Sequence, residues 1–133
     1  MTLELLIDTA KLDPDNWIEY PDFGFRQYFL WKNEATGASV ALVEVEAGGG
    51  VPDKHTHASN QLMYCLSGEY EYTDTKLTLK AGSFYSNPKD HPHGPTKAHK
   101  KSLMIEIYDG PHYYEKPSFH TEETIGGFLA KKT

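Results

Sequence analysis

Seven short stretches rich in β-branched and aromatic residues recur along the chain, each bounded by Gly, Pro, Asn or Asp: residues 23–31, 40–46, 61–66, 69–73, 76–79, 83–86 and 102–108. Strands at such short intervals, with no helical period between them, build a sandwich or barrel and not alternating strand–helix units. The chain is therefore expected to be all-β. Helix signals are confined to residues 3–12 and 121–130, where either a short helix or an extra edge strand fits. The stretch from residue 110 onward carries Pro111, Pro117, Gly126 and Gly127, and is expected to wrap the barrel or a neighbouring subunit without building core.

With 133 residues, no repeat and no low-complexity linker, the chain reads as one domain spanning 1–133. A domain of this size buries roughly two-thirds of its unfolded surface. The 38% hydrophobic and 24% charged residues suit a globular protein and leave no apolar run long enough for a membrane span. Thirteen basic residues against nineteen acidic ones give a formal charge of −6, which repels phosphate backbones and anionic lipid. Neither nucleic acid nor membrane is an expected partner. The N-terminal stretch lacks the features of a secretory signal, so a cytoplasmic location is expected. Cys65 is the sole cysteine, which removes an intrachain disulfide and a paired-cysteine metal knuckle together.

Four of the seven histidines fall in two short clusters, His55-Thr56-His57 and His91-Pro92-His93. In extended backbone, residues i and i+2 share a face, so each pair can present two imidazoles to one ion. An isolated pair of this kind is more often solvated surface. Two clusters in one small chain change that balance. Gln61, Met63 and Cys65 share a face of the following strand and would line a pocket beside them.

The stretch from Gly49 to Gly68 resembles the first motif of the cupin superfamily: glycine, five residues, His-x-His, three residues, a carboxylate, six residues, glycine. Gly49, His55, His57 and Gly68 are in register, and Gln61 stands where the carboxylate is usual. Gly82 to His93 is similar to the second motif, with Pro88 and His93 matched, Asp90 in place of an inner glycine, and Lys97 where an asparagine is usual. The resemblance is to small single-domain bacterial cupins, including cupin dioxygenases, and implies a double-stranded β-helix, or jelly-roll, barrel.

That resemblance also implies one divalent transition metal ion (iron, nickel, zinc, manganese or copper) held by His55, His57 and His93 with Gln61 as fourth ligand. An amide oxygen is a neutral and weaker donor than carboxylate, so such a site keeps the full charge of the ion. Gln61 either binds the ion or stands behind the three imidazoles. His91 reads as a ligand, a catalytic acid or base, or an exposed histidine; His99, His112 and His120 suggest no role.

Other candidates surround this set. Arg26 is the only arginine and could capture a substrate carboxylate or enolate, or lie on a solvent face; Tyr28 shares its face. Glu106 is a candidate acid or base if it points inward, being costly to bury unpaired. Met63, Cys65, Tyr72, Met104 and Tyr108 are candidates for lining a small-molecule site. The resulting expectation is a non-haem metal dioxygenase acting on an enolisable or β-dicarbonyl-type substrate. Two alternatives stand beside it: a non-redox isomerase, decarboxylase or lyase using the ion as Lewis acid, and a non-catalytic binding module. The resemblance to small cupins also implies association, expected as a homodimer, through edge strands and N-terminal segments, for which the apolar residues 3–7 could serve.

Overall fold

In the computed structural model, which describes residues 4–121, 124 and 128–130, seven strands form one antiparallel sheet. They are β1 (Ile18–Tyr20), β2 (Phe25–Lys32), β3 (Ser39–Val45), β4 (Gln61–Tyr72), β5 (Leu77–Lys80), β6 (Phe84–Asn87) and β7 (Thr96–Tyr108). Their order is β1-β2-β3-β7-β4-β5, with β6 also paired to β4. This is the all-β jelly-roll arrangement expected from strand spacing and motifs.

Alternation decides what faces inward. Cross-strand register aligns Phe29, Ala41, Glu106, Met63 and Tyr85 in one row, and Ser39, Tyr108, Gln61 and Asn87 in the next. Between these rows and the bend of the sheet lie Val43, Met104 and Cys65, fully or nearly fully buried. The polar residues Gln61, Glu106 and Tyr108 thus enter the interior because their strands leave them no other face.

Residues 61–66 and 69–73 are one strand, not two. Gly68 bends β4 against β7, with register shifts on either side of it. Its φ is +98°, and a Cβ there would sit 2.4 Å from the Lys101 carbonyl oxygen and from Ser102 Oγ, so only glycine fits. The bend turns the second half of β4 over the first, carrying Tyr70 and Tyr72 inward.

β7 begins six residues earlier than the sequence predicts. Its lysine-rich start reads as loop, yet Lys100 pairs with Glu69 and His99 with Glu71 on the neighbouring β4. β1, three residues long, is too short to show alternation. Residues 4–12 contain no α-helix; Asp8 caps a single 3-10 turn at Thr9–Lys11, and Leu5 and Leu6 lie exposed. Half of residues 121–130, namely 122–123 and 125–127, lie outside the described residues. Among the described residues no helix is long and apolar enough to cross a membrane.

The C-terminal segment departs from expectation. Tyr113, Phe119 and Phe128 belong to the core cluster, and Tyr113 forms a parallel bridge with Leu129. The prolines and glycines route the chain, but its aromatic residues pack.

Candidate metal centre

His55 and His57 lie in the connection between β3 and β4, and His93 lies between β6 and β7. Backbone hydrogen bonds join the two connections: His55 N–H donates to the His93 carbonyl at 2.8 Å, and His93 N–H to the His55 carbonyl at 2.9 Å. One candidate ligand atom from each of the three histidines lies within 4.8 Å of the other two. His57 Nε2 and His93 Nε2 are 2.8 Å apart.

Hydrogen bonds on the far side of each ring orient it. His55 Nδ1 donates to the Asp53 carbonyl at 2.9 Å, and His57 Nδ1 to the His112 carbonyl at 3.1 Å. A carbonyl oxygen only accepts, so both rings carry their proton on Nδ1 and turn an Nε2 lone pair inward. Tyr85 Oη stands 2.9 Å from His93 Nδ1. Burial lowers the pKa of His57 to about 3 and that of His93 to about 2, with neighbouring imidazoles adding to the effect. The rings are neutral at neutral pH. Three neutral imidazoles brought this close suit a divalent cation, to which each can turn a ring nitrogen.

Gln61 opens β4 and is 3% exposed. Its Nε2 donates to Glu106 Oε2 at 2.8 Å and to Tyr108 Oη at 3.1 Å. Its Oε1 is buried without a hydrogen-bond partner among the described residues. An orphaned acceptor on a residue that lines the same cavity as three imidazoles is the feature a cation or a protic ligand would satisfy. Glu106 Oε1 accepts from Gln27 Nε2 at 3.1 Å, and Gln27 Oε1 accepts from Tyr20 Oη at 2.6 Å. Burial pushes the Glu106 carboxyl up to about 7, against the donors from Gln61, Gln27 and Tyr108 that favour its charged form.

These groups surround an internal cavity of about 40 Å³, also lined by Met63, Tyr72, Tyr113, Phe119 and His120. That is room for about three water molecules. Phe119 closes over His55, ring centroids 5.3 Å apart, and Tyr113 over His57 at 5.0 Å. Outside this roof lies a groove bounded by residues 53–56 and 113–119.

Two histidines without an expected role take part. His112 stacks between Tyr108 and Phe128, its Nε2 lies 2.8 Å from Ser39 Oγ, and its carbonyl holds His57. His120 lines the cavity and sits edge-on to Tyr20 and Tyr113. The signal available in sequence was the pairing of each with an aromatic neighbour, His112-Tyr113 and Phe119-His120, inside an otherwise loop-like segment.

Of the candidate lining residues, Met63, Tyr72 and Tyr108 reach the cavity. Cys65 and Met104 are fully buried in the core but off the cavity wall. Arg26 and Tyr28 face the other side of β2: Arg26 Nε donates to Glu44 at 3.0 Å, its guanidinium lies over Trp17, and Tyr28 packs edge-on to the same ring. Inward Gln27 settles this by alternation. His91 is exposed and turned away, its Nδ1 3.0 Å from Asn87 Oδ1. The i, i+2 argument fails there because His91 lies in no strand: it closes a turn over Lys89 and Asp90, its N–H donating to the Pro88 carbonyl at 3.1 Å, and Asp90 takes φ +69° where the motif usually has glycine.

An antiparallel jelly roll whose two histidine-bearing connections meet on its inner face is a cupin. The chain belongs to the ChrR cupin-like domain family, which it matches over residues 4–112. No curated protein matches it. Among solved structures it is similar to an acetylacetone dioxygenase from Acinetobacter johnsonii, with 22% identity, a TM-score of 0.69, and 84% of this chain and 77% of that one covered. It is also similar to KdgF from Halomonas sp., with 19% identity, a TM-score of 0.65, and coverage of 84% and 96%. A third similarity is to the Rhodobacter sphaeroides complex of SigE with the anti-sigma ChrR, with 22% identity, a TM-score of 0.60, and coverage of 76% of this chain and 53% of that one. These identities speak for a shared fold.

Proposed function

We propose that this protein is a metal-dependent cupin, and specifically a non-haem metal dioxygenase for a small enolisable or β-dicarbonyl-type substrate. The observation that carries the reading is the convergence of three imidazoles on one cavity that Gln61 also lines, with Gln61 Oε1 buried and unpartnered among the described residues. The fold shared with an acetylacetone dioxygenase supports it.

In this reading His55, His57 and His93 hold one divalent transition metal ion, with Gln61 Oε1 as an oxygen donor. The bound ion would supply a Lewis-acid and redox centre for an enolate and for molecular oxygen. The protein's own groups do the rest. Glu106 is the one carboxylate on the cavity wall among the described residues, and in this reading its carboxylate takes up the proton released on enolisation. Tyr72, Met63 and Tyr108 give the wall an apolar surface with a polar rim. Tyr113 and Phe119 cover part of the site, and because the cavity is smaller than any dicarbonyl, in this reading they swing outward to admit one.

Oxygen uptake by the iron-, nickel- or copper-loaded protein with a panel of β-diketones tests this directly. Consumption of oxygen that stops when Glu106 or any of the three histidines is replaced supports it. Turnover under strict anaerobiosis would shift the reading to Lewis-acid chemistry.

A second reading is a non-catalytic metal-binding module. It is favoured by the small closed cavity and by the family match to a ChrR-like domain, one solved relative being a complex with an anti-sigma. Tight metal binding with no oxygen uptake and no anaerobic turnover for any panel member would select it.

A further inference from the structure

A glutamine facing a metal site is ambiguous. Its amide nitrogen and oxygen are nearly the same size, yet only the oxygen can donate a lone pair to a cation, and an NH2 turned the same way repels it. The side chain of Gln61 needs something to choose between these orientations.

The choice is made by Glu106, one hydrogen bond away, within a chain that continues to Gln27 and Tyr20. Tyr20 Oη lies 2.6 Å from Gln27 Oε1, and Gln27 turns its Nε2 toward Glu106 Oε1 at 3.1 Å. Gln61 Nε2 approaches the other carboxylate oxygen at 2.8 Å. When Glu106 is ionised, as a cation bound beside it favours, its carboxylate only accepts, so both amides then show it their NH2 groups. Rotating Gln61 by half a turn would set its oxygen against Glu106 Oε2, two acceptors at hydrogen-bond distance in a buried site. The one consistent arrangement leaves Gln61 Oε1 free, and that is the atom without a partner.

We infer that Glu106 is the positioning residue that holds Gln61 oxygen-first toward the metal ion, through the Gln61 amide clamp on β4 and β7. This inference rests on the metal-site reading and adds to it a division of labour: the ligand is neutral, while the negative charge sits one hydrogen bond behind. The ion keeps its full charge toward a substrate oxyanion, yet the site as a whole is not left cationic. The clamp spans strands paired in register, Gln61 opposite Tyr108 and Met63 opposite Glu106, so it is as rigid as the sheet.

The test uses full-length protein and Zn2+, Ni2+ and Co2+ alone as probes. In Glu106→Gln the new side chain can accept from only one amide at a time, and Gln61 is released to flip. Metal affinity is expected to fall by about 10- to 100-fold, with a shifted visible spectrum for bound Co2+. The double variant Gln61→Glu with Glu106→Gln restores an oxygen facing the ion and a donor behind it. It should bind within a few-fold of wild type, which a merely structural role for Glu106 would not produce. Unchanged affinity in Glu106→Gln, or a double variant no tighter than Glu106→Gln, overturns the inference. If Glu106→Gln does not fold, the double variant is compared with Gln61→Glu alone, in which two carboxylates compete for one space: tighter binding by the double variant supports the clamp, and equal binding overturns it. Wild-type protein that binds none of the three ions fails differently, removing the metal reading itself and the inference with it.

Discussion

His57 donates its Nδ1 proton to the backbone carbonyl of His112 at 3.1 Å, so the C-terminal segment holds one of the three imidazoles that converge in the interior. The same segment carries Tyr113 and Phe119 over the opening. Orientation of the site and its closure are therefore tasks of one stretch of chain, the stretch that looks least structured in sequence.

Phe119 is the most direct handle on closure. It is 4% exposed and packs on His55, Phe25 and Tyr113. Phe119→Ala should cost about 3 kcal/mol of stability while leaving the three imidazoles in place. Metal content should persist, but a chelator such as EDTA should strip the ion several-fold faster than from wild type. Stopped-flow or spectrophotometric chelation measures this, and an unchanged stripping rate would show that access runs elsewhere.

The metal-free protein should lose stability on mild acidification. Burial lowers His57 to about 3 and His120 to about 4, and holds His112 well below its ordinary value. Between those values and 6.5 the unfolded chain binds more protons than the folded one, so stability falls as pH drops through this window. Glu106, raised to about 7, acts the other way between 4.5 and 7, since there the folded state binds the extra proton. The buried histidines outnumber it, and each group is worth at most about 1.4 kcal/mol per pH unit. The urea midpoint of the apoprotein at pH 5.5 should lie below that at pH 7.5; a midpoint that is constant or rises on acidification would mean the histidines are already charged in the fold.

Arg26→Ala separates the two faces of β2. Arg26 is one-third exposed, paired with Glu44 and stacked on Trp17, so its removal should cost about 1 kcal/mol or less. Metal content and the affinity for any substrate found should not change. A large loss of substrate affinity, measured by calorimetry, would require Arg26 to reach the cavity.

The fold was legible because period-2 patterns and turn residues survive in sequence, and the two loops of the site because glycine and histidine spacings are local. What could not be read was long-range. Glu106 enters the cavity only because β7 pairs with β4 and β3 in a fixed register, and Gln61 and Glu106 are 45 positions apart. The start of β7 is hidden by lysines whose glutamate partners lie on another strand. His91 misleads because it closes a turn over Lys89 and Asp90 and lies in no strand. His112 and His120 are missed because their burial depends on a segment whose packing no periodicity announces.

Metal content measured by elemental analysis of wild-type protein and His57→Ala tests the central claim most directly. The wild type should carry about one divalent transition metal ion per chain when loaded, and His57→Ala should carry almost none while keeping its β-sheet circular dichroism. A folded His57→Ala protein that retains the full metal content would contradict the assignment of the site.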